Sequence, residues 1–385
     1  MLSPAPDLKG WLARVESFAP QVRAARDEMD RQAQLPLPLL KEMVDAGLFR
    51  LWLPEELGGY SVDPPIALKV IEAMARIDGS AGWCMGPGNV SGLFAAYLPE
   101  TAAREIYSGD WLMNGAGSIA GSGTAIPVEG GYRLNGRWAC CTNSPGCSWY
   151  LGIFTVLEEG KPQHLENGAP DLRIFYFPAD KTEIVPTWDT GGLQGTGSHD
   201  LLLQEAVVGV EFGYSLQAAK TWVASPMYAA GSKIWSQTAF AAIALGIAKS
   251  AIETLIEIAK SRVPTMGSAP LCEKPVVRDE LARADAALSA AESFFEHKVQ
   301  YCNDKLNQGQ QLSERDAAQL GQSCSHLADT SRDVDQTMYR LGGGASVYRD
   351  CPLDRCMRDV QVAAQHAAIG PRNYEAAART MLGMT

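Results

Sequence analysis

Three consecutive glycines open the stretch that decides the fold, LGGGASVYRDCPLDRCMRDVQVAAQH at residues 341–366. Glycine leaves no side chain between a ligand and the backbone, and it tolerates positive φ angles. After Pro352 the pattern predicts a helix that carries Arg355 and Asp359, and His366 follows that aspartate. These features fit the edge of a cofactor site with an acid or base beside it. They fit a structural turn with a helix cap equally well, so the rest of the chain has to distinguish the two.

The composition is that of a soluble globular protein with a large core. Of the 385 residues, 46% are hydrophobic and 20% are charged, and this length predicts two or three domains. A net charge of -11 without a basic stripe argues against nucleic acid as a partner. The first residues, MLSPAPDLKG, have no basic start and no apolar run, and the longest apolar run, residues 239–248, is too short to span a bilayer. We expect a cytoplasmic protein with no membrane partner.

Cysteine usage points to a reducing compartment. The chain has nine cysteines, and an odd number without a signal sequence is typical of free thiols. Three of them, Cys140, Cys141 and Cys147, are close enough in sequence to suggest a metal site. Adjacent residues of a strand point to opposite faces, so Cys140 and Cys141 are not expected to share one ion. We therefore expect no metal.

The residue pattern changes twice along the chain, which predicts three domains. Residues 1–110 are predicted to be helical, because apolar residues recur at steps of three and four from Leu8 to Val22. Residues 111–214 are rich in glycine, proline and short alternating runs, which predicts a β domain. Residues 215–385 return to helical patterns. The predicted order is therefore helices, a β domain and a helical bundle.

Three segments give these domains more detail. GYRLNG at residues 131–136 is predicted to be a strand that ends in an Asn-Gly turn. AFAAIALGIA at residues 239–248 is apolar on every side, which indicates a helix buried within a bundle. A seven-residue repeat predicts a bundle seam, and its members are Leu281, Leu288, Phe295 and Cys302.

A resemblance emerges from motifs in a fixed order. They are DAGLFRLWLPEELGGY (45–60), RIDGSAGW (76–83), GGYRLNGRWACCTNS (130–144), GLQGTGSHDL (192–201) and RLGGGASVYRDCPLDRCMRDVQVAAQH (340–366). Together they resemble the acyl-CoA dehydrogenase superfamily over nearly the whole chain, and most closely its two-component (group D) flavin-dependent monooxygenases. The resemblance implies an α+β, mostly α fold. It has an N-terminal helical domain, a central β-barrel or sandwich domain and a C-terminal four-helix bundle, and it assembles as a homotetramer.

The resemblance also implies cofactors and a partner. Members of this branch use reduced flavin, FMNH2 or FADH2, which a separate NAD(P)H:flavin reductase supplies. They react it with O2 to form a C4a-hydroperoxyflavin and transfer one oxygen atom to an aromatic or related small molecule. A phenol, an indole, a polycyclic aromatic compound and an amine all remain open as the substrate.

Flavin contacts in the β domain follow from the same motifs. Ser118 and Thr124 match positions that face the flavin, and Thr142 matches the hydroxyl near flavin N5. The ring needs hydrogen-bonding groups along its edge to hold it and to tune its electronics. Trp138 matches an aromatic position of the monooxygenase branch. By pattern alone, Ser118, Thr124 and Thr142 are ordinary strand and turn residues, and Trp138 is a half-buried strand aromatic.

The far end of the cofactor is expected at the C-terminal bundle. Gly342 and Gly343 match the site where the adenine end passes a neighbouring subunit, and Arg262 matches the arginine that holds the phosphates. The segment RVPTMG, which starts at Arg262, is one residue longer than the family's usual spacing.

The two superfamily positions for a catalytic base argue against a dehydrogenase. A dehydrogenase needs a carboxylate aimed at the α-carbon of its substrate. The two matching residues here are Ala367 and Ser236, and neither is acidic. Trp235 cannot act as a base, and Glu375 lies two helical turns further along the chain.

His366 stands where the monooxygenase branch has its late histidine. An imidazole there can donate a proton to the flavin peroxide or deprotonate a phenol, and Thr142 can donate to N5 or to the peroxide. The alternative is a histidine satisfied within the core or an interface. The chain departs from the branch at the second histidine, whose position is occupied by Ser91 with Asn89 nearby.

A flavin-dependent monooxygenase is therefore the leading hypothesis. One alternative is an acyl-CoA dehydrogenase-type flavoenzyme with an atypical base, and another is a non-catalytic scaffold of the same fold. The substrate is expected between the first bundle helices and the β domain, near Trp83, Ser91, Met227, Tyr228 and Trp235.

Overall fold

The computed structural model describes residues 5–107, 113–217, 220–264 and 267–384. Helices, a sheet and a second set of helices follow one another in the chain. This architecture confirms the predicted fold class. The change of pattern near residue 110 falls between the last helix of the first set and the first strand.

The N-terminal helices begin at residues suited to that position. Asp7 accepts a hydrogen bond from the Gly10 amide at 2.8 Å, and Asp78 accepts from the Ser80 amide at 3.0 Å, as N-cap side chains do. Pro64 starts another helix, where the missing amide hydrogen costs nothing. The helices are α1 Leu8–Ser17, α2 Ala19–Ala24, α3 Arg26–Gln32, α4 Leu37–Asp45, α5 Pro64–Ile77, α6 Gly79–Ala95 and α7 Glu100–Tyr107.

The irregular segment between α4 and α5 is held by one buried amide side chain. Asn89 of α6 accepts from the Leu51 amide and donates to the carbonyls of Leu48 and Met85, each at 2.8 Å. Two of these three backbone groups, at Leu48 and Leu51, belong to the irregular segment, so the side chain satisfies buried backbone outside the helices. The Asn89 side chain thus has a structural role.

The β domain is one mixed sheet. Its hydrogen-bonded order is β6-β7-β2-β1-β3-β5-β8, with β4 paired to β3 and with β1 parallel to β3. Among the described residues, the predicted central β domain therefore consists of eight strands in one mixed sheet. The strands are β1 Met113–Val128, β2 Gly131–Cys141, β3 Cys147–Glu158, β4 Lys161–Pro162, β5 Leu172–Pro178, β6 Thr182–Val185, β7 His199–Val208 and β8 Gly213–Ser215.

The predicted Asn-Gly turn is wrong. Asn135 and Gly136 lie inside β2, where Asn135 pairs with Thr124, and the turn before this strand is at Glu129 and Gly130. A Cβ atom at Gly136 would lie 2.5 Å from the Trp138 ring. The glycine is therefore explained by close packing at a register shift rather than by a turn.

The C-terminal helices surround one long apolar helix. They are α8 Pro226–Ala229, α9 Ser232–Ser261, α10 Pro275–Asn307, α11 Glu314–Gly342, α12 Pro352–Ala363 and α13 Arg372–Met381. Among the described residues, α9 alone is long and apolar enough to cross a membrane, but 72% of its apolar window is buried within the protein. The predicted buried segment at 239–248 is confirmed, as are the buried seam residues Leu288, Phe295 and Cys302 of α10.

A buried ion network ties α12 to the start of α6 and to the β domain. Arg355 donates from Nε to Asp78 Oδ2 and from Nη1 to Asp30 Oδ1, each at 2.8 Å. Asp359 Oδ2 lies 3.9 Å from Arg355 Nε, and its Oδ1 accepts from the Leu193 amide at 2.6 Å. The helical run after the glycines therefore has a structural function, which is to join three parts of the chain.

We predict that Arg355→Met lowers the free energy of unfolding by about 3 kcal/mol, because it leaves Asp78 and Asp359 buried with less counter-charge. Urea denaturation at a fixed protein concentration would measure the loss. Arg283→Met breaks an exposed pair with Asp279 on α10 and serves as the control, since exposed pairs contribute little. Equal losses in the two variants would contradict a stabilising role for the network.

Candidate active site

Thr142 follows a bulge at the end of β2. The pairing of β2 with β7 shifts register between Trp138 and Cys141, and Cys140 has a φ of 60°. Such a bulge changes the direction of the following side chain. Cys140 is consequently exposed, whereas Cys141 and Thr142 are buried. Within the described ranges, no three His, Cys, Asp or Glu side chains form a group that could bind a metal ion.

Three hydroxyl groups form a buried chain that starts at Thr142. The Thr142 Oγ1 and Ser198 Oγ atoms are 3.0 Å apart, and Ser198 Oγ lies 2.7 Å from Thr196 Oγ1. The Trp83 indole Nε1 donates to Thr142 Oγ1 at 3.1 Å. All four residues are buried. We call Thr142, Ser198 and Thr196 the hydroxyl chain, in which each hydroxyl can donate in either direction.

Aromatic rings connect the hydroxyl chain to His366. The His366 ring stacks on Phe240 of α9 with a centroid distance of 3.7 Å. Trp83 meets the same two rings, His366 edge-on at 5.7 Å and Phe240 at 5.2 Å. The N-terminal helices, the β domain and the bundle thus each supply part of one site.

His366 is held in one tautomer. It lies after α12, where its Nδ1 accepts a hydrogen bond from the Ala368 amide at 3.2 Å, so the neutral ring carries its hydrogen on Nε2. Burial and, to a lesser extent, the positive charge of Arg372 together lower the pKa of His366 to about 4. At neutral pH the site therefore offers an uncharged N–H donor.

The structure brings together Trp83, Thr142 and His366 among the residues that the sequence singled out. It places Trp138 elsewhere. The Trp138 ring is fully buried inside the β domain, between Phe154 at 4.9 Å and Phe177 at 5.2 Å. Trp138 therefore packs the interior of the β domain, and its contact with a flavin stays a prediction.

Ser118 and Thr124 both lie on β1 and are partly buried. Ser118 is opposite Gly152 of β3, and Thr124 is opposite Asn135 of β2 and Thr155 of β3. Register shifts separate the two halves of β1. Their contact with a flavin stays a prediction.

Three of the expected substrate residues pack against one another and against the irregular segment before α5. The Trp235 indole donates to the Met227 carbonyl at 3.2 Å. The Tyr228 hydroxyl donates to the Trp52 carbonyl at 3.2 Å and lies 3.0 Å from Ser61 Oγ. All three expected residues are buried. Their contact with a substrate stays a prediction.

Ser91 lies where α6 meets the β domain. Its Oγ donates to the Gly88 carbonyl at 2.7 Å, and its carbonyl accepts from the Tyr176 hydroxyl at 3.5 Å. A Cβ atom at Gly115 of β1 would lie 2.7 Å from Ser91 Cβ. The position that matches the family's second histidine thus adjoins the strand that carries Ser118.

The three glycines and Arg262 also meet. A Cβ atom at Gly344 would lie 3.6 Å from the Arg262 guanidinium, so the two are adjacent. Gly343 ends α11 with a φ of 58°, and the space beside Gly342 is filled by Ser346 and Leu353. The end of a helix explains Gly343, and close packing explains Gly342, so neither glycine requires a ligand. Gly344 and Arg262 form a surface that is available to a ligand.

Helix α9 separates these two groups of residues. Phe240 is near its N-terminus, and Arg262 follows its last residue. At 1.5 Å per residue, a helix of 30 residues is roughly 45 Å long. The hydroxyl chain and the Arg262 surface thus lie toward opposite ends of one helix.

Both superfamily base positions lack a carboxylate in the structure. The Ser236 hydroxyl donates to the Ser232 carbonyl within α9 at 2.6 Å, and Ala367 is exposed. Glu375 is exposed on α13 and lies 3.8 Å from Arg379. The hydroxyl chain and His366 are instead contacted by the Trp83 indole, the Phe240 ring and the Ala368 amide.

Sequence reasoning missed Thr196, Ser198 and Phe240. The first two stand in the quoted GTGSH run, where small hydroxyl residues alternate with glycine, and that alternation was the available signal. Phe240 lies in a segment that is apolar throughout, so nothing in the pattern distinguished it from its neighbours.

Two family models match the chain. The acyl-CoA dehydrogenase N-terminal domain matches residues 6–105, and the acyl-CoA dehydrogenase C-terminal domain matches residues 238–371. Together they account for more than half of the sequence. The chain belongs to the acyl-CoA dehydrogenase family. The resemblance stated from the motifs is confirmed.

Several relatives of the chain are monooxygenases. An indole-3-acetate monooxygenase of Pseudomonas putida is 30% identical over 361 residues, which cover 94% of this chain and 90% of the relative. The oxygenase subunit HsaA of a flavin-dependent monooxygenase from Rhodococcus jostii is 24% identical, with 94% of each chain covered. The predicted placement in the monooxygenase branch is confirmed.

A solved structure agrees with the fold. XiaF from Streptomyces sp., in complex with FADH2 and glycerol, superposes with a TM-score of 0.90 at 21% identity. The match covers 98% of this chain and 96% of XiaF. At this identity the likeness shows the fold alone.

The depressed pKa of His366 predicts a pH dependence of stability. The folded ring excludes a proton that the unfolded chain binds below about pH 6.5, so this residue destabilises the fold as the pH falls from about 6.5 toward 4. His366→Asn keeps a cap for the following turn but cannot titrate. Its free energy of unfolding relative to the parent should rise by about 2 kcal/mol between pH 7.5 and pH 5. Urea denaturation at several pH values would measure both proteins. If the free energies of unfolding of the parent and of His366→Asn change in parallel with pH, the lowered pKa of His366 is contradicted.

Proposed function

We propose that this protein is the oxygenase component of a two-component flavin-dependent monooxygenase. It would take reduced flavin from a separate reductase, form the C4a-hydroperoxyflavin with O2 and transfer one oxygen atom to a small aromatic or related substrate. The observation that carries this proposal is the half-buried imidazole of His366, joined through Trp83 to the hydroxyl chain, where a dehydrogenase would need a carboxylate. The activities of the two relatives described above support it.

The hydroxyl chain suits a flavin N5 in either protonation state. When Thr142 donates toward Ser198, its oxygen accepts from Trp83 and keeps a lone pair for the N–H of reduced flavin. When Ser198 donates toward Thr142, the Thr142 hydrogen is left for an unprotonated N5. Trp83 Nε1 is a donor in both cases and fixes the Thr142 oxygen. Thr142, Ser198 and Trp83 therefore fit the N5 edge of a flavin ring, whether or not N5 carries a hydrogen.

His366 is suited to proton transfer away from bulk water. Its Nε2–H can donate to an oxygen that develops negative charge while the ring remains uncharged in the resting state. Phe240 and Trp83 cover two sides of the ring. Limited access of water favours oxygen transfer over loss of hydrogen peroxide.

A second copy of the chain would complete the cofactor site. Arg262 and Gly344 lie at the far end of α9 from Thr142, so we propose that they hold the phosphate and adenine end of a flavin whose ring sits in a neighbouring subunit. This arrangement favours FAD and agrees with the expected homotetramer. Val347 and Tyr348, which follow the glycines, are exposed and apolar, as an interface would require.

We predict that Thr142→Val shortens the lifetime of the oxygen adduct of the flavin about tenfold, because the loss of one hydrogen bond at N5 removes about 1.4 kcal/mol. Stopped-flow absorption in the near ultraviolet, after mixing the reduced complex with oxygenated buffer, would measure the lifetime. Thr182→Val makes the same change in β6, where the hydroxyl donates to the Pro178 carbonyl, and should leave the lifetime unchanged.

Three results would separate the hypotheses. A parent protein that reoxidises with no adduct and forms only hydrogen peroxide contradicts the monooxygenase. Anaerobic bleaching of bound FAD by an acyl-CoA would favour the dehydrogenase instead. Absence of any flavin affinity would favour a scaffold.

We predict that Arg262→Gln raises the Kd for reduced FAD about tenfold, since a charge-assisted contact to phosphate is lost. The Kd for reduced FMN, which lacks the adenylate part, should stay the same. Anaerobic equilibrium titration would compare the two flavins. Equal weakening for both, or for neither, would contradict the cross-subunit site.

A further inference from the structure

Asp335 is a buried acid that the proposed chemistry does not use. It lies on α11 with 1% of its surface exposed, and within the described residues neither of its carboxyl oxygens has a hydrogen-bond partner. Both oxygens are shielded from solvent, so neither a water molecule nor a cation has room beside them. An unpaired charge in such a place is strongly unfavourable. A proton needs no space, and it is the one ligand that can neutralise this carboxyl.

The helix beside Asp335 presents an apolar surface. A Cβ atom at Gly321 would lie 3.2 Å from the Gln237 side chain, and one at Gly344 would lie 3.6 Å from the Arg262 guanidinium. Helices α11 and α9 therefore run side by side in the same direction. This places Asp335 alongside the middle of α9, whose residues 239–248 are buried and apolar and are followed by more buried apolar residues.

The charged side chains along this part of the bundle are paired with other groups. The pairs involve residues of α9, α10, α11 and the N-terminal helices, and they are Lys249 with Glu72 and Glu292, Glu253 with Arg76, Arg283 with Asp279, Arg340 with Glu280, Arg332 with Asp329, and Arg26 with Asp78. In the part of the chain that the structure describes, no cation forms an ion pair with Asp335.

Helix α12 adds a second negative charge rather than a positive one. Its Arg355 donates to two other aspartates, and the charge of Asp359 acts on Asp335. The nearby Cys356 thiol stays neutral, because burial raises its pKa. Burial and, to a lesser extent, the charge of Asp359 raise the pKa of Asp335 well above its usual value. The environment on every side therefore favours the protonated acid.

Asp359 also holds the turn that leads to the hydroxyl chain. Its Oδ1 accepts from the Leu193 amide at 2.6 Å. Leu193 is fully buried and has a φ of 51°, a left-handed conformation that residues with a side chain rarely adopt. Its carbonyl accepts from the Thr196 amide at 3.3 Å. Such a conformation persists only where the surrounding structure enforces it, so the position of Thr196 and Ser198 depends on Asp359.

Asp359 has little room to move away from a charge on Asp335. A Cβ atom at Gly79 would lie 2.7 Å from Asp359 Oδ2, and one at Gly192 would lie 2.1 Å from the Arg358 carbonyl. Helix α12 is thus pressed against the start of α6 and against the turn of the β domain. Two like charges in this interior repel each other, and the repulsion is relieved only if α12 shifts and the contact with the turn weakens.

We propose that Asp335 is a positioning residue for the flavin site, which binds a proton and through Asp359 keeps the Leu193 turn and the hydroxyl chain in place. Loss of the proton sets Asp335 against Asp359 and loosens the turn. Because the coupling between two binding events is reciprocal, reduced flavin raises the proton affinity of Asp335, and a rise in pH weakens flavin binding. The inference deepens the proposed function, and its flavin part rests on it.

Asp335→Asn keeps the shape of the protonated acid but cannot ionise, so it tests the proton site. Infrared spectra at pH 7.5 should show the carbonyl stretch of a protonated carboxyl in the parent and not in the variant. Asp359 contributes little at that pH, since burial raises its pKa only to about 6. Asp335→Ser should lose the same band. Asp333→Asn changes an exposed acid on the same helix and should keep it.

Urea denaturation supplies a second measurement of the proton. A raised pKa stabilises the fold fully below about pH 4, and this stabilisation is lost as the pH rises, because the unfolded chain releases the proton. The unfolding constant of the parent should therefore rise relative to that of Asp335→Asn by roughly tenfold per pH unit between about pH 5 and pH 7. Asp333→Asn should follow the parent.

Anaerobic titration with reduced FAD tests the coupling to the flavin site. Between pH 6 and pH 9 the Kd of the parent should rise at least about tenfold more than the Kd of Asp335→Asn, as the loss of one proton over one pH unit produces. Ionisation of the flavin itself is the same in both titrations and cancels in the ratio. Asp333→Asn should again follow the parent.

The outcomes separate this inference from the function on which it rests. A parent without the infrared band overturns the proton site, and this result does not require any variant to fold. Unfolding constants of the parent and of Asp335→Asn that change in parallel with pH overturn it as well. Parallel Kd curves overturn the coupling to the flavin site even if the band is present. A protein that binds no flavin at any pH overturns the proposed function, whereas the band and the unfolding constants would still support the proton site.

Discussion

The buried ion network around Arg355 is the constraint on which the site depends. Asp78 caps α6, which carries Trp83, and Asp359 holds the Leu193 amide of the loop that leads to Thr196 and Ser198. Because Arg355 joins both aspartates, one guanidinium fixes α6, α12 and the β-domain loop relative to one another. Charges buried this deeply tolerate little displacement, since separation leaves them unpaired in a poorly solvated interior.

The site that results is polar on one side and apolar on the other. Hydroxyls of Thr142, Ser198 and Thr196 face a wall formed by Trp83 and Phe240, with His366 between the two sides. Burial keeps the imidazole neutral. Such a site can exchange hydrogen bonds with a ring edge without holding a fixed charge, which is a different solution from the carboxylate base of a dehydrogenase.

The two ends of α9 carry residues of two different candidate sites. Its N-terminal part supplies Phe240 to the reaction site, and its C-terminal end presents Arg262 beside Gly344. A rigid, buried helix of this length keeps the two surfaces apart at a fixed distance. In the proposed cofactor site a flavin bridges two copies of the chain, and flavin binding would then be linked to assembly.

The sequence by itself determined the order of domains and the buried α9, because periodicity is a local property, and its resemblance to a family supplied the candidates Thr142 and His366. Local pattern also misled at Asn135–Gly136, where packing of glycines around the Trp138 indole outweighs turn propensity. Only the tertiary structure could bring Ser198 and Phe240 to His366 or set Asp335 against Asp359. These residues are far apart in sequence, and their chemistry appears only when burial removes water and leaves each polar atom to find a partner in space.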